Sequence, residues 1–154
     1  MNTQNSWQEK TLQDIAFVDS GQGAPQGEKW YNGDEIFVKA GDLNDLTNGK
    51  YVGDHCKRIG KDTVLHYRLK KYPKNAIVFP KSGMSIKTDN IALLKYESYV
   101  VNHLAIVSLK KDDEILSKYL YYFLKQKKVS NLSLNSGYPS IRLSDLNKIR
   151  IRIP

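Results

Sequence analysis

Cysteine is nearly missing from this chain of 154 residues: Cys56 stands alone. A single cysteine excludes an intramolecular disulfide framework and a thiolate zinc cage, and it fits a reducing compartment. Long apolar runs are missing as well. None approaches the roughly 18 residues that a membrane-spanning helix requires. Residues 1–30 lack the charged-then-apolar order of a signal peptide. The expectation is a soluble, cytoplasmic protein without membrane contact. Proline is sparse, and no two prolines are adjacent, so the Pro-Pro pair that an amino-methyltransferase places beside its catalytic Asn or Asp is not there. The three histidines, His55, His66 and His103, are isolated. His55, Cys56 and His66 offer three ligands but no fourth at metal spacing, and no metal site is expected. Lys57 and Arg58 beside Cys56 favour a lowered thiol pKa, yet nothing pairs that thiol with a general base. No Asp or Glu is followed two residues later by Lys within an apolar strand, as a magnesium nuclease would want.

Negative charge is the scarcer sign. There are 16 Asp and Glu against 24 Lys and Arg, a net charge of +8. On a domain of this size the excess favours a polyanionic partner, nucleic acid before a membrane surface. A basic surface with no partner is the bland alternative. At 40% hydrophobic and 26% charged the composition is that of a globular protein, and the length suits one domain over residues 1–154.

The patterning predicts a strand-rich α/β (α+β) fold, with a twisted, mostly antiparallel or mixed sheet, one main packed helix and long loops. Glu35–Lys39, Asn75–Pro80, Ile91–Tyr96 and Val100–Leu109 read as strands. Ile149–Ile153 alternates isoleucine with arginine, a strand with one wet face. The helix is expected over about 113–128, with Asp112, Asp113 and Glu114 at its positive end and Lys125, Lys127 and Lys128 at its negative end. Its packing face is expected to carry Ile115, Leu116, Tyr119, Leu120, Phe123 and Leu124. Ser6–Ile15 reads as a helical turn or two. A short helix is expected over Ser144–Lys148 with Ser144 as N-cap. Asp19–Gly33 reads as a long loop. Its glycines follow an apolar strand, as at the start of a nucleotide or S-adenosylmethionine site, but their spacing is G-x-G-x-x-x-G and no helical pattern follows. No cofactor and no catalytic residue are expected.

The basic residues fall in groups. Lys57, Arg58 and Lys61 read as one loop, and Arg68, Lys70, Lys71 and Lys74 as the next. Phosphate contacts need cations, hydroxyls and free backbone amides. Lys81-Ser82-Gly83-Met84-Ser85-Ile86-Lys87 offers all three just after a strand, and Gly83 permits close backbone approach. Ser136–Arg142 offers the same set through Ser140 and Arg142, with Tyr138 for stacking or groove insertion. If the strand ending at Phe79 and the closing strand at Ile149 run antiparallel in one sheet, these two loops share an end and enter one major groove together. Lys81 and Arg142 are then the leading contacts, with Lys39 and Lys87 in support. A hairpin turn with solvated lysines is the alternative for each loop.

The order of these pieces resembles a target recognition domain of type I restriction-modification specificity (S) subunits. The resemblance is carried by Phe17–Gly21 with Pro25; Tyr31-x-Gly33-x-x-Ile36-Phe37-Val38-Lys39-Ala40-Gly41-Asp42-Leu43; Pro73–Gly83; and Val101-Asn102 before an apolar strand. It continues through Tyr119–Leu124 and closes on Gly137–Arg142 with Ile149–Pro154. His103 stands where the family usually has Gln. The resemblance implies a non-catalytic domain that reads one half of a bipartite duplex DNA target, beside a methyltransferase (modification) subunit and, through it, a restriction subunit. The family's long spacer helix normally starts where this sequence stops, at Pro154, so the expectation is a lone recognition domain without spacer helix or second domain, either excised or a half-subunit. Two readings of other classes stay open: a small catalytic domain, either a methyltransferase fragment around Gly21–Gly27 or a nuclease, and a basic RNA- or protein-interaction module.

Overall fold

A computed structural model describes residues 6–46, 49–134 and 137–154. In chain order the elements are β1 (Gln8–Thr11), α1 (Leu12–Ile15), β2 (Ala16–Ser20), β3 (Glu35–Val38), β4 (Tyr51–Val52), β5 (Lys57–Ile59) and α2 (Lys61–Tyr67). Then come β6 (Ile77–Pro80), β7 (Ala92–Leu94), β8 (Tyr99–Val100), β9 (Leu104–Leu109), α3 (Glu114–Lys127), α4 (Leu143–Asn147) and β10 (Arg150–Ile153). Short 3-10 turns occupy Glu28–Trp30, Ala40–Asn44, Met84–Thr88 and Val129–Leu132.

Side-chain alternation sets the layering. On β9, Leu104 and Ile106 join one buried apolar cluster while Ala105 and Val107 join another. β6 divides Val78 from Ile77 and Phe79 in the same way, and β7 divides Ala92 and Leu94 from Leu93. These runs are apolar at every position because their strands are covered on both faces. The central sheet has the order β2-β9-β6-β7-β4 and is antiparallel except where β4 meets β7. A three-stranded sheet, β5-β3-β8, contributes Ile36, Phe37, Val38, Ile59 and Val100 to the cluster on one face. On the other face α3, α4 and β10 supply Leu120, Tyr121, Leu124, Leu146 and Ile151. The fold is the mixed α/β arrangement with one main helix that the patterning predicts.

The main helix starts where its acidic run stops. The Asp113 carboxylate caps it, accepting the Leu116 N–H at 3.0 Å. Its buried stripe is Ser117, Leu120, Tyr121 and Leu124. Ile115 lies two residues before that stripe, which turns it to the far side of the helix, and it is 82% exposed rather than packed.

Four further expectations differ from the structure. The opening segment is not a helix throughout: β1 pairs with β10, and one turn follows it, held by the Thr11–Asp14 capping box. The late short helix begins one residue early, with Arg142 rather than Ser144 at its N-cap. The expected strand Val100–Leu109 is broken by a turn at 101–103 into β8 and β9, which join different sheets. The basic loop around Lys57–Lys61 is instead β5 running into α2. Ile149, just before β10, and Ile151 within it are buried, while Arg150 and Arg152 are exposed, as the alternation requires. Its one partner strand among the described residues is β1, so it does not share a sheet with β6. Among the described residues no helix is long and apolar enough to cross a membrane.

Candidate nucleic-acid interface

Strand direction gathers the polar loops at one end of the central sheet. β9 runs antiparallel to both β2 and β6, so the exits of those two strands flank its start. The Gly21 N–H donates to the Leu104 carbonyl at 3.1 Å, and the Lys81 N–H donates to the His103 carbonyl at 2.9 Å. β3 arrives at the same place through its parallel pairing with β8, and the Val101 N–H donates to the Val38 carbonyl at 2.9 Å. Residues 20–22, 39–42, 81–83 and 101–103 are therefore neighbours.

The 137–142 segment joins this end by a route the sequence argument did not foresee. It does not reach it through a shared sheet. Instead Ser82 and Ser140 form an antiparallel bridge. The Gly83 N–H donates to the Pro139 carbonyl at 2.9 Å, and the Ile141 N–H donates to the Lys81 carbonyl at 2.7 Å. On the other side of Ser140, the Leu134 N–H donates to its carbonyl at 2.9 Å. Three segments thus make a small clip, pinned to the core by Ile86 and Ile141, both buried in the cluster beneath α3. Gly83 holds φ +86° and ψ −178°, a region that only glycine adopts freely, and a Cβ there would lie 3.2 Å from the Tyr138 hydroxyl. Ser136 lies outside the described residues.

The expected contact residues fall into two sets. Lys81, Ser82, Gly83, Tyr138 and Ser140 come together in the clip, and the Ser82 hydroxyl meets Nδ1 of His103 at 3.1 Å. Lys39 stands at the rim of an adjoining hollow of about 400 Å³ that also takes in Gln26, Asn102 and His103. Its ammonium rests 4.6 Å above the Tyr31 ring. Ser85 and Lys87 lie on the Met84–Thr88 turn, and Lys87 borders a second hollow of about 430 Å³ with Ser130, Asn131 and Ser133. Among the described residues no carboxylate lies within ion-pairing distance of Lys39, Lys81 or Lys87. Arg142 differs: its Nε is bound to Asp145 at 3.0 Å, so part of its charge is spent inside the domain. His103, Asn102 and Gln26 were not among the expected contacts. The one sequence signal for them was the Val101-Asn102 step ahead of an apolar run.

Three residues of the other two basic groups meet carboxylates. Lys70 pairs with Asp19 at 3.1 Å, Lys71 with Glu35 at 3.0 Å, and Lys57 approaches Glu28 at 3.9 Å. Arg58, Lys71 and Lys74 share a hollow of about 650 Å³ with Asp34, Glu35, Asp54 and Glu97. That hollow is the roomiest of those described, but its mixed sign makes it a poor seat for a polyanion.

The ligand set weighed from the sequence does not assemble. His66 stacks on Trp30 at 4.4 Å instead of approaching Cys56. Asp42, His55 and Cys56 do lie within 4.8 Å of one another. Asp42 is occupied by the fold, however: its carboxylate accepts the Lys39 N–H at 2.7 Å, and its carbonyl meets His55 Nε2 at 3.0 Å. Burial first, and Asp42 second, push the Cys56 thiol up, opposite to the lowering expected from Lys57 and Arg58. The glycine loop has a packing explanation too. A Cβ on Gly21 would lie 2.1 Å from the Val101 carbonyl oxygen, so glycine is there to let two backbones touch.

The chain is similar to known proteins over nearly its whole length. The family described as type I restriction modification DNA specificity domain matches residues 4–154. The type I restriction enzyme MjaIX specificity subunit of Methanocaldococcus jannaschii is 29% identical over 155 residues, covering 96% of this chain and 34% of that protein. Two solved structures share the fold. The type I restriction-modification S subunit from M. genitalium has a TM-score of 0.63 at 18% identity, over 99% of this chain and 36% of that one. The HsdS subunit from Thermoanaerobacter tengcongensis has a TM-score of 0.64 at 12% identity, over 100% and 34%. The chain spans about a third of the length of these relatives.

Proposed function

The chain belongs to the type I restriction modification DNA specificity domain family, and from that membership we propose that it reads double-stranded DNA as one target recognition domain. It supplies one half of a bipartite target. It has no catalysis and no cofactor of its own, and it works in the cytoplasm. Its protein partners are a methyltransferase (modification) subunit and, through that subunit, a restriction subunit.

The observation that carries this reading is the convergence of five loop segments at one end of the sheet, two of them clipped together. Lys39, Lys81 and Lys87 meet phosphates as cations that have no carboxylate partner among the described residues. The hydroxyls of Ser82, Ser85 and Ser140 add hydrogen bonds, and Gly83 lets the backbone come close. Tyr138 reaches base edges. Arg142 reaches phosphate with the guanidinium nitrogens that Asp145 leaves over. The major groove is about 12 Å wide and admits a two-stranded ribbon, so it has room for the paired 81–83 and 139–141 segments of the clip.

The test is a salt titration of duplex binding. The logarithm of the affinity falls linearly with the logarithm of salt concentration, and each of Lys39→Ala, Lys81→Ala and Lys87→Ala flattens the slope by about 0.9. Binding that ignores salt, or that prefers structured RNA in competition, overturns the reading. So does turnover of DNA with magnesium or S-adenosylmethionine supplied.

A further inference from the structure

The clip carries an apolar surface that phosphate contacts leave unexplained. Met84 is 63% exposed and Tyr138 is 58% exposed. Leu134, the third exposed large hydrophobic residue of the clip, pairs through its backbone with Ser140. Their neighbours in sequence are anchored: Ile86 and Ile141 are buried, and the backbone between the segments is hydrogen-bonded. The exposed apolar residues thus stand on backbone that is hydrogen-bonded and anchored to the core. A pre-ordered apolar surface loses little freedom on binding, which is what a recognition surface needs. Cations flank it at Lys81 and Lys87, so the partner that accepts this surface is itself anionic.

Duplex DNA offers few apolar groups. In the major groove the one such group on a base edge is the C5-methyl of thymine, which 5-methylcytosine also bears. The alternative apolar partner is a base face exposed by prying a step open, which calls for a protruding wedge. Tyr138 is not free to act as a wedge. Its phenol lies against Gly83, where even a Cβ would sit 3.2 Å from the hydroxyl. The Tyr138 phenol lies over Gly83, the residue before Met84, so the two exposed side chains come from adjoining segments of the clip.

We infer that Met84 and Tyr138 are specificity-determining residues that read the C5-methyl group of a pyrimidine in the major groove. The inference rests on the DNA reading above. It gives the domain a preference for thymine over cytosine at one position, and makes that position sensitive to cytosine C5-methylation.

The experiment begins by selecting bound sequences from randomised duplexes with the whole chain. The best duplex is then remade with each thymine replaced, one at a time, by deoxyuridine, which lacks only the methyl. At one position the replacement weakens binding about fourfold, the worth of one buried methyl group. Met84→Ala and Tyr138→Ala bind the thymine and deoxyuridine duplexes equally there, whereas Tyr138→Phe keeps the difference. Met84→Gln, which preserves side-chain length, loses it, and unchanged melting temperatures show that the variants are folded. Equal wild-type affinity for thymine and deoxyuridine at every position overturns the inference. So does full discrimination retained in Met84→Ala and Tyr138→Ala, or a rise in 2-aminopurine fluorescence on binding that reports an opened step. In each of those outcomes the DNA reading survives. Failure to bind any duplex at low salt overturns the DNA reading itself, and this inference with it.

Discussion

Gly83→Ala separates the stability of the clip from that of the domain. At φ +86° and ψ −178° the residue occupies a region closed to L side chains, and holding alanine there costs about 1–3 kcal/mol. The new methyl also presses on the Tyr138 hydroxyl at 3.2 Å. Two hydrogen bonds across the Lys81–Gly83 and Pro139–Ile141 segments resist opening. At about 0.5–1.5 kcal/mol each they total much the same as the strain. The strain is therefore relieved by opening these two hydrogen bonds, with Ile86 and Ile141 kept in the cluster beneath α3. Amide hydrogen exchange reads this directly: the Ile141 N–H exchanges faster in the variant, while those of β6 and β9 keep their protection. The melting temperature drops by only a few degrees, since about 1 kcal/mol moves a domain of this size by roughly 2–4 °C. Duplex binding falls along with Ile141 protection. An Ile141 amide as slow in the variant as in the wild type would refute the reasoning, because the clip would then have absorbed the strain intact.

Three other substitutions or reagents test particular contacts. Gly21→Ala drives a Cβ to within 2.1 Å of the Val101 carbonyl oxygen, so it destabilises the whole domain far more than Gly83→Ala does, as a denaturant titration will show. Asp113→Ala removes the cap on the Leu116 N–H and costs about 0.5–2 kcal/mol, measured the same way, with duplex affinity unchanged. The Cys56 thiol, buried and with its pKa raised, reacts with a disulfide reagent at the rate of global unfolding, and fast labelling of the native chain would contradict its placement.

What the sequence made legible was whatever is encoded locally. β9 is apolar at successive positions because both its faces are covered, and α3 carries its own cap and end charges. The closing strand writes its wet face in arginine. What stayed hidden depends on contacts between distant residues. Five of the seven residues of α2, Asp62, Thr63, Val64, His66 and Tyr67, are middling helix formers, and it takes its shape from the fold: the buried Thr63 hydroxyl donates to the Trp30 carbonyl at 2.7 Å. Ile115 looked inward because the apolar residues of α3 cover more than its buried stripe. The two candidate loops were correctly brought to one place for the wrong reason. Strand order within a sheet cannot foretell that Ser82 and Ser140 pair directly, outside any sheet. Likewise, Lys57, Lys70 and Lys71 looked available because the carboxylates that meet them, Glu28, Asp19 and Glu35, come from elsewhere in the chain.

The ribbon of β1 and β10 has an evolutionary consequence. Gln8 lies opposite Ile153, so the polypeptide arriving at β1 and the polypeptide leaving β10 pass through one doorway. Paired strands stand only about 5 Å apart. A unit with different clip segments on the same ribbon would leave these two chain ends where they are.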